Sequence, residues 1–217
     1  LLTRQRTMLI NAIRAHMAEF GIVAPTGVPQ VKKLLRIIAD ADNARLPSIA
    51  RSCLESLARQ FLSLHEEIGA AKQQIHAWHL SNEVSCRLET IPGLGPISSS
   101  AMAASVSDPD VFKNGRELAA WIGLVPRQNS TGGKQRLGKI SKQGDQYLRW
   151  LLVVGAMSVI RQAKRRGTSN MPWLDDIIAR KPAKVAAVAL ANKNARIIWA
   201  LMKRGGTYQK PATVPTA

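Results

Sequence analysis

The chain has 217 residues, 46% of them hydrophobic, and a formal net charge of +17. This apolar content excludes a disordered basic tail, and the length suffices for one or two compact domains. The 31 basic residues against 14 acidic ones are typical of a protein that meets a polyanion. Residues 1–90 are nearly balanced, with 11 basic and 8 acidic side chains, whereas residues 91–217 hold 20 and 6.

The sequence predicts that the first 90 residues are mainly helical. We predict a helix over 1–20, a break over 21–30 that contains Pro25 and Pro29, and a short helix from 31 to about 40. A long helix is expected from Pro47 to about residue 90. Its apolar residues recur every three or four positions, as in the seam of a coiled coil, and they are Leu54, Leu57, Phe61, Leu64, Ile68, Ala71, Ile75 and Trp78. The pattern favours a coiled coil that joins protomers or domains, although packing on the two earlier helices is compatible with it.

The second part of the chain is also predicted to be helical, with one polar interruption. We expect compact helices over 91–122, further helices over 142–166 and 183–204, and a disordered Pro/Thr-rich tail over 207–217. Residues 124–141 are rich in glycine and basic side chains and predict a loop or a short hairpin. The fold class is therefore all-α: a helical stalk over 1–90, followed by a compact basic domain over 91–206.

No metal site, disulfide framework or membrane span is indicated. Cys53 and Cys86 stand alone, which fits a reducing cytoplasm. His65, His76 and His79 share one helix without a carboxylate spacing that would complete a metal site, so we expect them to be surface residues. The most apolar run, 148–160, is too short to cross a bilayer.

A glycine turn at 91–97, Ile-Pro-Gly-Leu-Gly-Pro-Ile, separates two predicted helices. It resembles the hairpin of helix-hairpin-helix modules, in which Gly93 and Gly95 would let backbone N–H groups approach phosphate oxygens. An ordinary tight turn between packed helices is the alternative. The basic surroundings favour phosphate contact.

A hydroxyl pair, Ser130 and Thr131, precedes Gly132 and Gly133 in the polar segment. A serine on a glycine-rich turn beside cations is suited to attack a phosphodiester, because the cations neutralise the charge that develops on phosphorus oxygens. The same residues would serve equally as hydrogen-bond donors in a phosphate-binding loop, and chemistry alone ranks that alternative first. The cations nearby in sequence are Arg127, Lys134, Arg136, Lys139, Lys142 and Arg149.

Several motifs in order resemble one family. They are the glycine turn at 91–97, Ala-Ala-Trp-Ile-Gly-Leu-Val-Pro-Arg-Gln at 119–128, Asn-Ser-Thr-Gly-Gly-Lys at 129–134 and Ile-Ser-Lys-Gln-Gly-Asp-Gln-Tyr-Leu-Arg at 140–149. Together they look like the C-terminal domain of IS110-family insertion-sequence transposases. The stretches at 6–14 and 19–25 also resemble the segment that enters the coiled coil of that family.

The resemblance implies a DNA transposase or recombinase guided by a bridge RNA that pairs with donor and target DNA. Family members carry an N-terminal RuvC-like domain with a DEDD acidic site for Mg²⁺, and two protomers complete each active site. Asp40 and Asp42 do not match those acidic motifs. We therefore expect a C-terminal portion that holds no cofactor itself, binds DNA, forms a dimer or tetramer through its coiled coil and lies in the cytoplasm at the nucleoid. Alone, it is expected to be inactive.

The resemblance implies that Ser130 is the nucleophile. Thr131 takes this role if the alignment with the family motif shifts by one residue. The supporting cations, inferred from their proximity in sequence, would then be Arg127, Lys134, Arg136 and Lys142. The residues predicted to contact DNA are Gly93, Gly95, Arg127, Lys134, Arg136, Lys139, Lys142 and Arg149. Two other functions stay open: a non-catalytic DNA-binding module of the helix-hairpin-helix type, and a coiled-coil assembly protein that is incidentally basic. The charge after residue 90 argues against the last.

Overall fold

The computed structural model describes residues 1–129 and 137–209. Within them helices dominate and the β structure is a single two-stranded sheet, which confirms the predicted all-α class. Contacts divide the chain into two compact units, Leu1–Gln74 and Ile75–Ala217. The boundary expected from the charge distribution, at residue 90, lies between two helices that pack together in the second unit.

The first unit contains α1 (Leu2–Glu19), α2 (Val28–Ala39) and most of α3 (Ser48–Ser81). Leu54 and Phe61 of α3 are buried in one cluster with residues of α1 and α2, among them Ile13, Met17, Val31, Leu34 and Ile38. The Arg51 guanidinium ties α3 to the end of α2 by donating to Ile38 O at 2.9 Å and to Asn43 O at 2.8 Å. This half of the expected coiled-coil seam therefore packs inside its own unit.

The long helix ends at Ser81, so the prediction that it runs to about residue 90 is wrong. Asn82 interrupts it, because the Asn82 side chain accepts a hydrogen bond from Ser85 N at 2.8 Å and caps a new helix, α4 (Glu83–Glu89). The junction buries His79, whose Nδ1 lies 2.7 Å from Ser85 Oγ and whose Nε2 lies 2.8 Å from Glu89 Oε2. His79 is 1% exposed, so the expectation of a surface histidine is wrong at this position.

The second unit is built around α9. After α4 come α5 (Pro96–Ser105), a 3₁₀ turn (Pro109–Val111), α6 (Gly115–Trp121), strands β1 (Pro126–Gln128) and β2 (Leu137–Ile140), α7 (Gln146–Arg166), α8 (Pro172–Arg180) and α9 (Ala183–Arg204). α9 contacts α4, α6, α7, α8 and the 3₁₀ turn. A single apolar cluster fills the space between them and includes Leu118, Leu148, Leu152, Ala156, Leu190 and Ile198.

The helix bounds differ from the predicted ones at further places. α2 begins at Val28 rather than at residue 31, because Pro29 is accommodated in the first turn of the helix. α7 begins at Gln146 rather than at residue 142, because Asp145 caps it by accepting a hydrogen bond from Leu148 N at 2.8 Å. α8 was not predicted at all. α9 matches the predicted range 183–204, between Pro182 and Gly205. In the tail, Tyr208 N donates to Thr90 Oγ1 at 2.9 Å, and residues 210–217 lie outside the described residues.

We expect Phe61→Ala to lower the free energy of unfolding of the first unit by about 3–5 kcal/mol, because it empties a fully buried site. Urea titration followed by circular dichroism measures this. Leu62→Ala is the matched control, since Leu62 is 46% exposed on the same helix and its loss should cost little. Equal effects of the two substitutions would contradict the assigned packing.

Candidate nucleic-acid interface

A β-hairpin carries the serine-bearing segment. β1 and β2 are antiparallel, with Pro126 opposite Ile140 and Gln128 opposite Leu137, so the predicted loop or hairpin is a hairpin. Residues between the paired strand ends include the predicted nucleophile Ser130, its alternative Thr131, and the cations Lys134 and Arg136; these four lie outside the described residues. The structure defines the two strands that flank this segment and the residues that hold those strands together.

The base of the hairpin is held by a close crossing of two backbone segments. Ser141 N donates to Val125 O at 2.9 Å and Lys142 N donates to Gly123 O at 3.1 Å. Gly123 has a φ of +80°, and a Cβ there would lie 2.0 Å from Gln143 O. At Gly144, with a φ of +85°, a Cβ would lie 1.7 Å from Trp121 O. Only glycine fits at both positions, so the sequence fixes this crossing through its two glycines.

Arg149 fastens the same base. Its Nη1 donates to Ile122 O at 2.8 Å, just before β1, and to Gln143 O at 3.3 Å, just after β2. One guanidinium on the first turn of α7 thus holds the chain on both sides of the hairpin. The sequence predicted Arg149 as a DNA contact, which stays a prediction; the hydrogen bonds in the structure assign it to the hairpin. Arg127 is exposed on β1 and donates from Nη2 to Ser141 O at 3.3 Å.

A groove of about 1760 Å³ runs beside the hairpin. Its walls come from the hairpin, from the start of α6, from Trp173 of α8 and from α9. Seven cationic residues and no acidic residue line it, and the seven are Arg116, Lys139, Lys142, Lys184, Lys193, Arg196 and Arg204. None of the seven pairs with a carboxylate in the described part of the chain. Unpaired cations around an open groove suit a polyanionic backbone.

α8 brings an aromatic ring to this groove. Trp173 is 38% exposed, and Lys193 Nζ lies 4.2 Å from the centroid of its ring. The loop before α8 is closed by Asp175, which accepts hydrogen bonds from Thr168 Oγ1 and Ser169 N, each at 2.8 Å. Burial acts to raise the pKa of Asp175, but the hydrogen bonds from Ser169 and Thr168 outweigh it, so the pKa lies below its ordinary value. The carboxylate therefore stays ionised at neutral pH and holds the loop.

The glycine turn between α4 and α5 packs against the helices behind it. Gly93 has a φ of +91°, and a Cβ there would lie 2.9 Å from the Gly155 carbonyl oxygen on α7. Asn194 Nδ2 of α9 donates to Pro92 O at 3.0 Å, and Gly95 N donates to Ser98 Oγ at 2.9 Å. These contacts explain Gly93 as part of a tight turn between packed helices, whereas nothing within 4 Å of a Cβ at residue 95 requires a glycine there. Phosphate contact at Gly93 and Gly95 stays a prediction, and neither residue lines the groove.

The structure brings together Lys139 and Lys142 from the predicted set, and it joins them to cations of α9. Lys184, Lys193, Arg196 and Arg204 belong to the excess of basic residues after residue 90, which the sequence does not resolve into a groove, and Arg116 lies outside the motifs. Among the described residues, no group of three or more His, Cys, Asp or Glu side chains is placed to hold a metal ion. No helix in that part of the chain is long and apolar enough to cross a bilayer.

The fold and this site define an all-α protein that presents a polar hairpin beside a basic groove. Residues 85–170, which include the whole hairpin, match the sequence profile of the Transposase IS116/IS110/IS902 family. The hairpin and the helices around it are thus the part of the chain that is similar to this transposase family.

Similar proteins cover nearly the whole chain. A Pseudomonas aeruginosa protein named "Probable family 20 transposase" is 44% identical over 209 residues, 96% of this chain and 62% of its own length. The Coxiella burnetii "Transposase for insertion sequence element IS1111A" is 38% identical over 96% of this chain and 57% of its own length. The Yersinia enterocolitica "Transposase for insertion sequence element IS1328" is 34% identical, with 96% and 62% covered. The chain thus spans about three fifths of the length of these relatives.

We expect Arg149→Gln to loosen the hairpin base, because hydrogen bonds from a charged donor to two carbonyl oxygens are lost. Hydrogen–deuterium exchange of the Ser141 and Lys142 amides should accelerate about ten- to hundredfold, which corresponds to the loss of such charged hydrogen bonds. Arg161→Gln is the matched control, since Arg161 is an exposed arginine on the same helix. Unchanged exchange in Arg149→Gln would show that Arg149 does not hold the hairpin.

Proposed function

We propose that this chain is the serine-bearing part of a DNA transposase and that Ser130 attacks a DNA phosphodiester. One observation carries the proposal. Pro126 of β1 and residues 138–140 of β2, on either side of the serine segment, line the cationic groove. A DNA backbone held by the groove would therefore lie next to the segment that contains Ser130. The transposase names of the relatives support the reaction class.

The proposed step is a transesterification. As the bond between Ser130 Oγ and phosphorus forms, the hydroxyl proton leaves to solvent, the bond between phosphorus and a sugar oxygen breaks, and that oxygen takes up a proton. The product is a phosphoserine link that conserves the phosphodiester energy for rejoining a strand. Lys139, Lys142 and Arg127, with Lys134 and Arg136 close to Ser130 in sequence, would stabilise negative charge on the phosphate during attack. Ser130 is preferred to Thr131 because its primary hydroxyl is less hindered.

In this proposal, the residues of this chain do not bind the catalytic metal ion. The described residues offer no ligand set for the Mg²⁺ that the resemblance implies. We assign that ion to a RuvC-like acidic domain outside these 217 residues, and we propose that the chain alone binds DNA without recombining it. The acidic site and the serine would come from different protomers.

The partners follow from the same proposal: donor DNA, target DNA, a bridge RNA and further copies of the chain. The last two residues of the α3 seam support association between copies. Ile75 is 37% exposed and Trp78 is 42% exposed, whereas Leu54 and Phe61 of the first half are buried within the first unit. Two copies could cover these exposed residues by pairing their α3 helices.

The rival function is a non-catalytic DNA-binding module, in which Ser130 only donates a hydrogen bond to phosphate. The same groove would serve it. The two functions differ in what the loss of one hydroxyl does: a nucleophile is needed for a covalent product, whereas a phosphate donor contributes to affinity.

The test supplies the acidic domain to this chain, with guide RNA, Mg²⁺ and labelled donor and target DNA. After proteolysis, mass spectrometry should find a nucleotide adduct on Ser130. Ser130→Ala should abolish the adduct and leave duplex affinity within about twofold, because a nucleophile need not contribute to binding before the reaction. A loss of affinity of about tenfold or more would favour the phosphate-donor function, since a hydrogen bond to a charged group is worth about 1.5–3 kcal/mol. Thr131→Ala is the matched control and should retain the adduct. Strand exchange without an adduct on either residue would refute the serine mechanism and leave a DNA clamp.

A further inference from the structure

One face of α7 is exposed along its whole length. Residues spaced three or four apart share a side of a helix, and here they span about 27 Å. The face, called the aromatic–basic face below, consists of Tyr147, Trp150, Val154, Ser158, Arg161 and Arg165, all of them exposed. None of these residues lines the groove beside the hairpin. The face is therefore a second surface, distinct from the candidate interface.

The first half of the face is aromatic. Tyr147 is 54% exposed and Trp150 is 57% exposed. Their rings are stacked, with centroids 6.3 Å apart and planes 21° from parallel. Val154, 46% exposed, continues the apolar surface by one turn. Contiguous exposed aromatic residues commonly mark a binding surface, because removing their apolar area from water is favourable in free energy.

The second half of the face is cationic. α7 contains no Asp or Glu, and its last turns hold Arg161, Lys164, Arg165 and Arg166. In the described chain no carboxylate forms an ion pair with any of the four. A second copy of this chain would bring a net charge of +17 against these cations. Charge complementarity therefore favours a polyanion over another copy.

We propose that the aromatic–basic face binds an unpaired nucleic-acid strand. Bases stack on Tyr147 and Trp150, and phosphates of the same strand contact Arg161 and Arg165. Both kinds of side chain have a physical role. Aromatic rings stack against any base, and cations contact the phosphates of the backbone. A duplex cannot use the rings, because its base faces are already stacked inside the helix. The proposal does not depend on serine chemistry at residue 130.

The test measures binding of fluorescein-labelled oligo(dT) and oligo(U) of twelve nucleotides, and of a duplex of the same length, to the 217-residue chain. Trp150→Leu keeps an apolar side chain and removes the aromatic ring. It should weaken binding of the single strands about five- to hundredfold and leave duplex binding within twofold. Trp150→Phe is the matched control and should retain most of the single-strand affinity.

The cationic half has its own readout. Arg161→Gln combined with Arg165→Gln should flatten the dependence of log affinity on log salt for single strands by about 1.4, the change expected for two lost phosphate contacts. Because the substituted side chains are exposed, thermal unfolding should be unchanged, which checks that the variants fold.

Four results would overturn the proposal. In the first two, Trp150→Leu binds single strands as tightly as the parent chain, or loses single-strand and duplex affinity equally. A poly-glutamate peptide whose binding falls with Trp150→Leu, while single-strand binding does not, would assign the face to an acidic protein. A change in sedimentation with Trp150→Leu and no change in single-strand binding would assign it to contact between copies. The Ser130 adduct is independent of all four.

Discussion

The grip of Arg149 on two carbonyl oxygens is the interaction on which the candidate site depends. A short hairpin has few hydrogen bonds of its own and is marginal without further support. Here its base is held by Arg149 from α7, and the crossing at Gly123 and Gly144 prevents the two segments from sliding. α7 is in turn packed on α9, so the strands that flank the serine segment are fixed to the core of the second unit.

α9 combines packing with electrostatics. Its apolar side buries Ala187, Leu190 and Ile198, while its cations line the groove. Two asparagines on the same helix hold neighbouring turns, since Asn192 donates to Leu124 O at 3.2 Å and Asn194 to Pro92 O at 3.0 Å. The rigid element that positions the hairpin thus also provides much of the positive potential beside it. In the proposed function, this coupling would hold bound DNA and the strands that flank the proposed nucleophile on one scaffold.

Local signals in the sequence were enough for much of the fold, and long-range contacts account for what they missed. α9 was bounded correctly because Pro182 and Gly205 flank an apolar period. The end of α3 was missed because the apolar period continues past Asn82, and its cap is supported by a His79–Glu89 contact across the junction. The role of Arg149 was equally hidden, since one of its acceptors lies 27 residues away. Only the fold unites Arg116 with the α9 cations.

The most direct test asks whether bound DNA is brought to residue 130. In a chain with Cys53→Ser and Cys86→Ala, Ser130→Cys is exposed to duplex DNA that carries a disulfide-tethered phosphate, and Ser63→Cys on α3 serves as the control. Rates are normalised to a small disulfide. We expect rapid cross-linking at residue 130 that falls when Lys139 and Lys142 are changed to Gln. Cross-linking at residue 130 no faster than at residue 63 would contradict a serine presented beside a DNA-binding groove.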